Sequence, residues 1–126
     1  MKPAELFLSS LNKTWVLDLD GTLVYHNGYK SGRDDFLPGA KEFLTSIPSG
    51  DFILILTARE NEAREVTEQF LRHHGIRYDA LILGAPMGER ILINDIKPSG
   101  LKTAYAIECD RNEGLEQFRV IIDPSL

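Results

Sequence analysis

Trp15-Val16-Leu17-Asp18-Leu19-Asp20-Gly21-Thr22 is a short apolar run that ends in two carboxylates and a Gly-Thr turn. Side chains alternate along a strand, so positions two apart point the same way. Asp18 and Asp20 are therefore expected to converge on one small volume at the strand's C-terminal end, the edge where open α/β sheets bind ligands. Two carboxylates held together in a partly dry crevice repel each other, and a divalent cation or a shared proton is needed to relieve them. Asp-x-Asp-Gly-Thr specifies four positions, and chance supplies such a pattern in a chain of this length on the order of once in a thousand. The plainer reading of the stretch is a strand-end turn with capping aspartates.

Working outward, residues 14–19 form the first expected strand. Residues 3–11 before it read as a short helix with Pro3 near its start. Residues 23–36 are polar and broken by Gly28 and Gly32, which marks a loop or small hairpin. Pro38-Gly39-Ala40 opens a helix in which Ala40, Phe43, Leu44 and Ile47 keep helical spacing, and Pro48 and Gly50 close it. The continuous apolar run 52–56 has the pattern of a strand covered on both faces. Residues 61–74 are the clearest helix, with Ala63, Val66 and Phe70 on one face, Leu71 alongside, a Glu68–Arg72 pair, and Gly75 at its stop. Residues 80–83, 91–93, 103–107 and 120–122 read as further strands, and residues 112–118 as one or two helical turns. Strands alternating with helices predict an α/β fold with a mainly parallel central sheet. The connection over residues 84–90 is short for a parallel crossover, which usually takes a dozen or more residues. Either the boundaries shift there or the sheet is irregular on that side.

At 126 residues, 43% of them apolar, the chain suits one domain spanning residues 1–126 with a core that needs no staples. The formal net charge of −5 and the scattered Lys and Arg argue against a nucleic-acid partner. Cys109 is the only cysteine, so no internal disulfide can form, and it reads as a small packed side chain. Residues 1–11 are too short and polar for a secretory signal. The longest apolar run, 52–56, is far below the ~20 residues of a membrane span. A cytoplasmic protein without membrane association is expected.

Three strand ends offer polar groups: Asp18 and Asp20 on the first, Thr57 followed by Ala58 and Arg59 on the second, and Asn94 and Asp95 followed by Lys97 beyond the strand at 91–93. Parallel, adjacent strands would gather them along one edge. The inventory suits phosphoryl transfer: a carboxylate nucleophile, a second carboxylate to shuttle a proton, a hydroxyl and backbone amides for phosphoryl oxygens, a cation, and acids for a metal. Mg²⁺ fits best, as a hard ion that takes one or two carboxylates together with water and phosphate.

Asp18-Leu19-Asp20-Gly21-Thr22, Leu56-Thr57-Ala58-Arg59 and Ile93-Asn94-Asp95 resemble motifs I, II and IV of the haloacid dehalogenase superfamily, over residues 15–106. The resemblance implies a three-layer, Rossmann-like core and a Mg²⁺-dependent phosphatase. On it, Asp18 attacks phosphorus to form an aspartyl-phosphate, and Asp20 protonates the leaving oxygen and then activates water. Thr57 holds a phosphoryl oxygen, while Asp18, Asp95 and the backbone carbonyl of Asp20 hold the metal. Gly21, Thr22, Ala58, Arg59 and Asn94 are the candidate substrate contacts. The family's third motif, a Lys or Arg, has no counterpart near Gly84-Ala85-Pro86, and no Lys lies between Lys41 and Lys97. Arg90, at the start of the strand 91–93, would stand more than ~10 Å from Asp95 at ~3.3 Å per residue. Lys97 is therefore the assigned cation, with Arg59 next.

Residues 22–38 and 61–75 leave no room for a folded insert, so the chain resembles the type without a cap domain. An open site suits a large substrate, or a small one shielded by a neighbouring subunit in a homo-oligomer. The loop Tyr25-His26-Asn27-Gly28-Tyr29-Lys30-Ser31-Gly32-Arg33 is expected to help recognise the leaving group. His73 and His74 close a helix, where the dipole favours His, and are given no chemistry. The stretches 93–98 and 103–107 look similar to small bacterial members of the superfamily from sugar and surface-polysaccharide pathways, which points to a sugar phosphate or another small phosphorylated metabolite. The competing readings are a phosphatase of protein or nucleic-acid ends and a phosphate-binding module with little turnover.

Overall fold

The computed structural model describes residues 4–126. Among these, β1 (Ala4–Leu8), β2 (Thr14–Leu17), α1 (Ala40–Ser46), β3 (Phe52–Leu56), α2 (Arg64–His73), β4 (Ala80–Ile82) and β5 (Phe118–Ile122) follow in order, with 3-10 turns at Gly28–Ser31 and Asn61–Ala63. Every strand pairing is parallel. β2, β3 and β4 lie side by side in that order, and β1 pairs with β5 in a separate two-stranded sheet. Among the described residues the fold is mixed α/β, with parallel sheets, two helices and no closed barrel.

Alternation along β3 explains where the core sits. Ile53 and Ile55 are buried, and the register sets Trp15 beside Ile53, and Leu17 and Leu81 beside Ile55. On that face they join Ala40 and Leu44 of α1 and Leu71 of α2 in one apolar cluster. Trp15 meets the edge of Phe43 at 5.5 Å, and its indole N–H donates to the buried Asp51 carboxylate at 2.9 Å. The opposite face carries exposed Val16 and Ile82, so the expectation that 52–56 is covered on both faces holds for one face only. Residues 84–117 form neither helix nor strand.

Several expected elements differ. Within 3–11, Pro3 lies outside the described residues, and the rest holds strand β1 rather than a helix. Its partner β5 comes from the far end of the chain, so no local signal announces the pairing. Residues 91–93 and 103–107 are not strands, and Ile91, Leu92 and Ile93 face solvent. Their β propensity is real, but a strand needs a partner in register, and the short 84–90 connection does not deliver one. Residues 112–118 make turns, because Asn112 (φ 64°) and Gly114 (φ 84°) adopt the left-handed region that a right-handed helix excludes. Helix α2 buries Thr67 and Leu71 after Ala63 and leaves Val66 exposed. A polar residue wins the inward position because its hydroxyl has a partner there, Arg59.

Candidate active site

Parallel pairing of β2 with β3, Leu17 beside Ile55, brings Asp18 and Thr57 out of neighbouring strand ends on the same edge. β2 stops at Leu17, two residues earlier than the sequence pattern suggests. Beyond it the chain turns tightly: the Leu19 carbonyl accepts from the N–H groups of Thr22, Leu23 and Val24, and Gly21 takes φ 86°. The period of two no longer governs the aspartates, and they face different partners.

Asp18 is half-buried. One carboxylate oxygen accepts from the Thr22 hydroxyl at 3.0 Å, and the other from the Arg90 guanidinium at 2.8 Å. Asp20 accepts from Nε and Nη2 of Arg59, both at 2.9 Å. Arg59 also donates to both oxygens of Asp34, at 3.0 and 2.7 Å, and to the Thr67 hydroxyl at 2.8 Å. All five guanidinium N–H groups are thereby used. The Tyr29 ring covers the group at 4.0 Å from its centroid, and the Arg59 side chain is only 1% exposed. Burial by itself would lower the Arg59 pKa, but hydrogen bonds and charge from Asp20 and Asp34 outweigh it and raise the value, so Arg59 stays cationic. The sequence reading made Arg59 a substrate contact; the geometry makes it the post to which Asp20, the 25–36 loop and α2 are tied.

Thr57 is buried, and its hydroxyl accepts the Arg59 backbone N–H at 3.0 Å. Ala58 is exposed beside it, and Gly21 is buried in the turn. The remaining assigned residues bond within their own turn. Asn94 donates to the Thr103 hydroxyl at 3.0 Å, that hydroxyl donates to the Asp95 carbonyl, and the Lys97 backbone N–H bonds the Leu101 carbonyl at 3.2 Å. This exposed 94–103 turn is stitched to itself. The structure thus brings Asp18, Thr22, Asp20, Thr57 and Arg59 together, while Asn94, Asp95 and Lys97 make their contacts in that turn.

The sequence passed over Arg90, because a strand at 91–93 would have carried it away; with that segment irregular, Arg90 reaches Asp18 directly. Asp34 carried no signal beyond being an acid in a polar loop. Among the described residues no three His, Cys, Asp or Glu side chains gather to hold a metal ion. Of the residues expected to hold Mg²⁺, Asp18 pairs with Arg90, the Asp20 side chain pairs with Arg59, and Asp95 is exposed in the 94–103 turn. As arranged, these residues do not fit a divalent cation, since guanidinium groups already balance the charge it would need.

No family model, curated protein or solved structure matched this chain in the three comparisons.

Proposed function

We propose that this chain is a phosphomonoesterase with a three-layer, Rossmann-like core of the haloacid dehalogenase type, acting in the cytoplasm on a small phosphorylated metabolite such as a sugar phosphate. One observation carries the reading: Asp18 stands half-exposed just past β2, fixed by Thr22 and Arg90, and Thr57 follows the end of the parallel neighbour β3. An anchored carboxylate can attack phosphorus in line while a guanidinium balances charge on the phosphoryl oxygens. As the Asp18–phosphorus bond forms, the ester P–O bond breaks and the leaving alkoxide takes a proton from water; a second water hydrolyses the aspartyl-phosphate and returns Asp18 and inorganic phosphate. Arg90 takes the cationic role in this reading, ahead of Lys97. The motif resemblance implies Mg²⁺, but the residues as arranged do not fit the ion, so no step is assigned to it.

Hydrolysis of p-nitrophenyl phosphate, measured with and without Mg²⁺, is the test. Wild-type protein should release phosphate, Asp18→Asn should fall to background with its fold intact, and Arg90→Ala should lose about 10²–10³-fold in kcat/KM, more than Lys97→Met. Wild-type activity in Asp18→Asn rejects the reading. A second reading, a phosphate-binding module with little turnover, is favoured by the engagement of both Asp20 oxygens by Arg59. Phosphate binding without turnover would select it.

A further inference from the structure

The chain has a formal net charge of −5, yet a second arginine stands beside the turn that carries Asp18. Arg111 belongs to a loop held at several points. The Asn112 N–H donates to the Gly21 carbonyl at 2.9 Å, and the Asn112 side chain accepts the His26 N–H at 2.8 Å. The Leu115 N–H donates to the Pro38 carbonyl at 2.9 Å, with Leu115 buried. Gly114 lies so close to Pro38 that a Cβ there would stand 2.2 Å from the Pro38 oxygen. This scaffolding lays the Arg111 stem across Gly21, with Cγ 3.1 Å and Nε 3.7 Å from where a Gly21 Cβ would be. Gly21 precedes Thr22, whose hydroxyl holds Asp18. Arg59, Arg64, Arg72, Arg77 and Arg90 each meet a carboxylate. Arg33, Arg111 and Arg119 are exposed and meet none among the described residues, and of these Arg111 has its side chain laid against Gly21.

We infer that Arg111 forms a second anion subsite beside the Asp18 turn, so that the preferred substrate carries a further anionic group, a carboxylate or second phosphate, besides its phosphoryl group. A guanidinium is a planar fork that matches either group with two parallel N–H bonds. Its stem is already positioned, which reduces the ordering that binding requires. The inference rests on the phosphatase reading only in taking the Asp18–Thr22 turn as the phosphoryl end.

Calorimetric titration of the Asp18→Asn protein, which should leave ligands intact, tests it with two probes that differ in one group: 3-phosphoglycerate, with a carboxylate, and glycerol 3-phosphate, without. The first should bind about tenfold more tightly, the size of one charge-assisted contact, and adding Arg111→Gln should bring the two affinities together. Equal affinities while Arg111 is present, a preference that survives Arg111→Gln, or no binding of either probe at millimolar concentration overturns the inference. If the preference holds but wild-type protein hydrolyses neither probe nor p-nitrophenyl phosphate, the subsite stands and the phosphatase reading falls.

Discussion

Arg59 balances two carboxylates from different parts of the chain, Asp20 and Asp34, whose side chains are 14% and 7% exposed. Removing the guanidinium leaves both acids nearly buried and unpaired, which costs about 3–5 kcal/mol in such settings. Arg59→Ala should therefore lower the urea midpoint sharply. Arg59→Lys should recover only part of the loss, because an ammonium has three donors and no fork. Cys109 allows a pH prediction. Burial, then the charge of Asp110, pushes its thiol pKa up. Disulfide-exchange reagents should modify it more slowly in the native protein than in urea at pH 8. By linkage, its contribution to stability is complete below the ordinary thiol pKa and is lost as pH rises through the raised value. Asp18 was legible from local sequence because strand, carboxylate and Gly-Thr turn are neighbours. Asp34 was not, because its meaning depends on an arginine 25 positions away.

Among the elements, helix α2 shows how tertiary partners select a face. Spacing alone allowed Ala63, Val66 and Phe70 to turn inward, yet Thr67 and Leu71 are fully buried while Val66 is exposed. Leu71→Ala should cost about 2–5 kcal/mol as a core truncation, whereas Val66→Ala should stay within about 0.5 kcal/mol; chemical denaturation of both variants checks the contrast. Phe70 packs on Phe36 and His74 at ring distances of 4.9 and 4.7 Å, which accounts for His74 without chemistry. The loop holding Arg111 makes a separate case. Gly114→Ala would force a Cβ into the Pro38 carbonyl at a positive φ, with a conformational penalty of roughly 1–2 kcal/mol before the clash. Its melting temperature should fall, and binding of 3-phosphoglycerate should weaken with it.

On the scale of the whole molecule, two parallel sheets stand where one mainly parallel sheet was expected. The segment 88–108 has few backbone hydrogen bonds of its own, from Lys97 to Leu101 and from Gly100 to Lys97. Ile93 in it is 91% exposed. Amide exchange should be fast across 91–96 and slow across β3, whose Ile53 and Ile55 lie in the core; equal protection in the two segments would mean that 91–93 pairs as a strand. No helix among the described residues is long and apolar enough to cross a membrane.

The sequence by itself determined the β2 strand and its acidic turn, the β3 run, both helices and the parallel α/β class, since each follows from neighbouring residues and a fixed period. Tertiary structure alone decided that β1 pairs with β5, that Arg59 ties Asp20 to Asp34, and that Arg90 and Arg111 flank the Asp18 turn. Those outcomes depend on which distant groups meet, and a charge or an open strand edge takes the partner that the folded chain brings within reach.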